Sequence, residues 1–250
     1  YARMLPLALE SISYQYEGQA DDPMCQRAVN LSWDQYGVLT HGVNVNYPRR
    51  KLPGDDSPFT DEHQQSWWQA SHDEAQQRYY LSETRTEAIH LDEAQGWRLG
   101  LPYLTRANAM MAEASQVNAE DLGYEAFKDP DGWFVSLPRT LVSLSKQRYV
   151  ECPDGQATFQ ALADAVEIAE LDAHALTAYS KVPIFQGPEG EEALTKKLEE
   201  VGYSRMECVL PEDSSVVLWS VKRGFNTYAG PEHFYRVEAF RPTASHGPST

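Results

Sequence analysis

Side chains able to do covalent or metal chemistry are few and scattered in this 250-residue chain. Three cysteines, Cys25, Cys152 and Cys208, lie far apart and form no Cys-x-x-Cys pair, so no disulfide framework and no metal site is expected. There is no His-Glu-x-x-His, no phosphate loop ending in Gly-Lys-Ser/Thr, no Gly-x-Ser-x-Gly and no kinase-type set. What the chain has in quantity is carboxylates: 37 acidic against 21 basic residues, a net charge of −16. That balance argues against nucleic acid as a partner, because such binding is driven by neutralising phosphates. A cationic substrate or a basic partner is accommodated more easily. No run approaches the roughly 20 apolar residues of a membrane span, and no targeting signal opens the chain, so no membrane partner and a cytoplasmic location are expected. The chain begins at Tyr1 rather than Met, which reads as a start that is trimmed, processed, or cut from a larger polypeptide.

The elements that would position a site are clearest between Val182 and Phe225. The loop Phe185 to Glu191 carries Gly187 and Gly190, and Leu194, Leu198 and Val201 follow at helical spacing up to a C-capping Gly202. Met206, Cys208 and Leu210 alternate with Arg205, Glu207 and Val209 as a strand. After the turn Pro211 to Ser215, a helix is expected to bury Val217, Leu218 and Val221. Ala175 to Val182 reads as the strand that feeds this stretch.

Further back, Tyr36 to Tyr47 reads as a strand with bends at Gly37 and Gly42, and helical patterns run from Thr60 to Leu81, Thr86 to Gln95 and Leu104 to Val117. Trp133 to Leu137 and Thr140 to Val150 read as a hairpin, and Phe159, Leu162, Val166 and Ala169 as one face of a helix. Asn226 to Ala229 and His233 to Phe240 close the chain as strands. The organisation expected is an N-terminal elaboration over 1–130, a compact half over 131–240, and a polar tail over 241–250.

Residues 133–240, and most specifically 175–240, resemble the GCN5-related N-acetyltransferase family. The resemblance rests on the glycine loop with its helix, on Arg205 to Phe225 ending in Gly224-Phe225, and on the closing strands. It implies an α/β (α+β mixed) fold: a mixed central sheet splayed at its middle strands and flanked by helices, with an elaborated N-terminal half. It also implies an acyl-CoA-dependent transferase, an acetyltransferase that moves an acyl group from acetyl-CoA to a small-molecule or peptide amine of cationic character.

On this resemblance, Ser180 and Val182 offer backbone N–H groups to the thioester and pantetheine, and Gln186, Gly187 and Gly190 hold the pyrophosphate. Asp213 falls where the family carries asparagine, and Ser220 where a tyrosine protonates the leaving thiolate. Glu170, Asp172 and His174 are the candidates for the base. Two departures, Glu189 and Glu191 in the phosphate loop and serine for tyrosine at 220, motivate an alternative: a catalytically silent domain of the same fold that binds a partner. His41 beside Gly42 is similar to a His-Gly pair in ADP-ribosyltransferases, but lacks that family's other partners at suitable spacing.

Overall fold

A computed structural model of the chain describes residues 5–16, 18, 20–52, 54–94, 96–117, 122–179, 181–187, 189–206, 217–228 and 237–240. The chain divides into two compact units, Tyr1–Thr86 with Arg106–Val142, and Glu87–Thr105 with Ser143–Thr250. Among the described residues no helix is long and apolar enough to cross a membrane.

The first unit is built on antiparallel strands β1 (Glu10–Gln15), β2 (Met24–Trp33), β3 (Leu39–Asn46), β4 (Arg78–Glu93) and β5 (Gly96–Glu113), hydrogen-bonded in that order. Strands β4 and β5 run on into the second unit. One sheet face carries Val29, Val43, Val45, Tyr79, Leu81, Met110 and Ala112, all buried. Two short helices, α2 (Tyr124–Lys128) and α3 (Trp133–Ser136), place Phe127 and Phe134 in this core with ring centroids 5.0 Å apart. Antiparallel strands allow one covered face and one open one. Here the open face is made of cross-strand rows, Ser13–Gln26–Asn46–Tyr80 and Ser11–Ala28–Asn44–Ser82, with no charged side chain in either row. A helix α1 (Glu62–Ala70), capped by Asp61, lies between β3 and β4 in the chain.

In the second unit the order continues from β5 through β6 (Thr140–Tyr149) and β7 (Ala163–Leu171) to β9 (Leu218–Arg223) and β8 (Ser204–Met206). The pairs β6–β7, β7–β9 and β8–β9 are antiparallel. Helices α4 (Ala173–Tyr179) and α5 (Gly190–Glu200) fall between β7 and β8 in the chain, with a 3₁₀ turn at Pro183–Phe185. A separate antiparallel pair, β10 (Phe225–Tyr228) and β11 (Val237–Phe240), ends the described chain.

This architecture corrects the expected one. The fold is dominated by a large antiparallel sheet, not by a splayed mixed sheet flanked by helices. The helices expected over Thr86 to Gln95 and Leu104 to Val117 are the long strands β4 and β5, and the helix expected through Val166 and Ala169 is β7. Alanine, glutamate and leucine give these segments helical propensity, but ladder pairing on both sides prevails, since propensity spans under about 1 kcal/mol per residue. Residues 218–221 form strand, not helix: Leu218, Trp219 and Ser220 are consecutively buried, as in a strand packed on both faces. Conversely, Ala175 to Tyr179 is helical because the Asp172 carboxylate caps it, accepting from the Ala175 N–H at 2.7 Å. Trp133 to Leu137 is α3 rather than a hairpin arm, and β6 pairs with β7 instead.

Helix α5 forms as the spacing predicts, and Gly202 after it has φ +92°. Its first residue has no freedom, for a Cβ at Gly190 would overlap the backbone carbonyl of Phe185. Gly190→Ala must therefore push the 3₁₀ turn and α5 apart. A loss of about 1–3 kcal/mol in a denaturant melt is expected.

Candidate functional site

Among the described residues, the most perturbed ionisable group lies in the first unit. Glu83 is on β4 among the buried positions Tyr79 and Leu81, and its side chain is 0% exposed. Its own strand, the two neighbouring strands and one loop deliver its partners. His41 on β3 places Nε2 2.8 Å from Oε1, which Arg85 also approaches at 3.3 Å. Asn108 on β5 donates to Oε2 at 2.8 Å, and Arg139, just past α3, donates to the same oxygen at 2.9 Å. Arg106 in turn donates to the Asn108 carbonyl at 3.0 Å.

Burial alone would push the Glu83 carboxyl upward. The hydrogen bonds from His41 and Asn108 and the charges of Arg139 and Arg85 outweigh it, holding the group well below the usual carboxylate range. A carboxylate so stabilised is a poor base, and both oxygens are already engaged. What the arrangement does is clamp. Arg139 also donates to the carbonyls of Val135 and Leu137 and lies 5.1 Å from the Phe134 ring centroid, so a single guanidinium ties the end of α3 to the sheet.

A second polar group, in the second unit, links Tyr103, Lys146, Arg148, Asp154, Glu167 and Ser220. Lys146 meets Asp154 at 2.8 Å, Tyr103 donates to Asp154 at 3.1 Å, and Arg148 pairs with Asp154 and approaches Glu167 at 3.6 Å. Asp154 is held below its ordinary range: desolvation opposes this, but Lys146, Tyr103 and Arg148 prevail. Ser220, expected to serve a leaving thiolate, is fully buried here and donates to Glu167 at 2.7 Å. Ser220→Ala should cost about 1–3 kcal/mol by leaving the Glu167 oxygen without its donor, measurable by urea denaturation.

The other residues singled out from the sequence fall around α4 and α5. Glu170, near the end of β7, accepts from Tyr203 at 2.7 Å and from Arg223 at 2.6 Å, while Asp172 is the α4 cap and His174 sits in its first turn. The hydrogen bond to Glu170, with burial, pushes the Tyr203 phenol up. Val182 is in no strand, and its N–H donates to the Tyr179 carbonyl. Gln186 donates to the Lys181 carbonyl at 3.2 Å, and Gly187 has φ +88°. Gly187 and Gly190 line one cleft together with Phe185, Leu194 and Leu198. Ser180 and Asp213 lie outside the described residues.

The Glu83 clamp went unread in the sequence. Its signal was His41, noted for another reason, and the alternation Tyr79, Leu81, Glu83, which places a carboxylate in a strand's buried register.

Comparison with known proteins decides between these readings. Residues 1–101 match the family model of the insecticide toxin TcdB middle/C-terminal region. Among solved structures, the crystal structure of TcdB2-TccC3-Cdc42 is similar over 92% of this chain, with a TM-score of 0.78 and 26% identity. The Photorhabdus luminescens Tc holotoxin pore carrying TccC3-D651A gives 0.77 over the same share, and TcdB2-TccC3 without its hypervariable C-terminal region gives 0.78, both at 26% identity. The chain spans 10–11% of the length of those Tc toxin chains. No curated protein gives a significant match.

These similarities overturn the acetyltransferase resemblance, and with it both functions drawn from it: the acyl transfer to an amine and the silent domain of that fold. They also replace the expected amine substrate, since the similar Tc toxin structures are assemblies with protein partners.

Proposed function

We propose that this chain is a scaffold segment of an insecticidal Tc toxin component, serving assembly with a TccC-type partner protein rather than catalysis. The observation that carries the reading is the similarity of nearly the whole chain, 92% at 26% identity, to part of the TcdB2-TccC3 structures. Two features fit it. In the ionisable cluster around Glu83 the carboxylate is fully buried and both its oxygens are engaged, which suits a rigid wall better than a catalytic base. The two cross-strand rows of the first unit's open face present neutral side chains, which cost less to desolvate against another protein than the charged surface expected of a chain with 23% charged residues.

The test is a chimaera in which this chain replaces the corresponding segment of TcdB2, co-expressed with TccC3. Co-elution with TccC3 at the mass of the complex is expected in size-exclusion chromatography with light scattering. A soluble chimaera with native-like circular dichroism that leaves TccC3 unbound would refute the reading.

A further inference from the structure

The second unit holds a cleft of about 430 Å³ between α4, the 3₁₀ turn, α5 and the β8–β9 pair. Its walls are apolar: Leu176 from α4, Phe185 from the turn, Leu194 and Leu198 from α5, and Val217 and Trp219 at β9. One cation lines it. The Arg205 guanidinium lies 5.4 Å from the Trp219 ring centroid, and Arg205 has no carboxylate partner among the described residues. Stacking on a buried indole holds the guanidinium in place without neutralising it. The one carboxylate in the lining, Glu191, is on the first turn of α5. Beside the lining residues in the chain stand Tyr179, Val182, Ile184 and Val201, with Ile184 72% exposed. The segments that build the cleft thus carry further exposed apolar side chains, more than a small enclosed ligand needs.

We infer that this cleft docks a polypeptide segment that presents a bulky apolar side chain beside an acidic residue. The apolar side chain fills the space among Leu176, Phe185, Leu194 and Leu198, the acidic side chain pairs with Arg205, and the flanking backbone covers Val182 and Ile184. The inference stands on the cleft alone and does not rest on the assembly reading above.

The test is fluorescence anisotropy with a fluorescein-labelled Gly-Ser-Leu-Phe-Asp-Gly-Ser peptide. Saturable binding is expected below about 1 mM, weakened about tenfold or more when the peptide aspartate is replaced by asparagine, because a charge-assisted hydrogen bond is lost. Arg205→Gln should lose the same factor and make the two peptides equivalent. Thr195 on α5 also lines the cleft, and Thr195→Trp, which fills it, should abolish binding while circular dichroism stays native. Absence of saturation, unchanged affinity in Arg205→Gln, or tighter binding of dodecanoate at the same site would each overturn the inference, the last by assigning the cleft to a small amphiphile.

Discussion

Glu83→Ala is expected to lower stability by about 3–5 kcal/mol, because it leaves Arg139 facing a partly closed site without its counter-charge. In a chain of this size that corresponds to a fall in Tm of roughly 6–20 °C. The double variant Glu83→Leu with Arg139→Leu should be less damaged than Glu83→Ala alone, since removing both charges removes the uncompensated one. The wild-type protein should show the same clamp in its acid response. Folding lowers the proton affinity of Glu83, so its contribution is complete above its ordinary value of 4.5 and is lost as the pH falls from there toward the folded value. Urea midpoints measured from pH 6 down to pH 3 should fall for the wild type and show a shallower fall for Glu83→Leu/Arg139→Leu. Equal slopes would show that the carboxylate is not the titrating clamp.

Trp219→Ala is the second large effect, with a loss of about 3–5 kcal/mol expected in chemical denaturation. Trp219 is 2% exposed and sits on β9, the strand that pairs with both β7 and β8, so truncation leaves a cavity where a large buried ring had packed. Trp219→Phe keeps a ring under Arg205 and should recover much of the loss. If Trp219→Ala melts like the wild type, Trp219 is not the buried packing residue described here.

How much of this was legible in the sequence depended on whether a segment's local chemistry agreed with its tertiary role. β3, β6 and α5 agreed: Val43 and Val45 alternate with Asn44 and Asn46, and Leu194 and Leu198 sit one helical turn apart before Gly202. β4 and β5 did not. Their buried registers hold Glu83, Arg106 and Asn108 among the apolar residues, and a polar residue at a core position erases the period-two pattern that identifies a strand. These residues are tolerated inside because they satisfy one another across strands, a pairing of positions 25 residues apart in the case of Asn108 and Glu83. The cluster that hid the strands is thus the same cluster that forms the candidate site.

The sequence by itself determined the acidic balance, the lack of a nucleophile or metal motif, and the short elements closed by their own caps and turns, because those depend on composition and neighbours in the chain. Only the tertiary structure decided that alanine- and glutamate-rich segments become strands, that Ala175 to Tyr179 becomes a helix, and that Ser220 and Glu83 turn inward. Strand pairing and the burial of a charge are both settled by partners distant in sequence. For Glu83 those partners are His41 on one neighbouring strand, Asn108 on another and Arg139 beyond a helix.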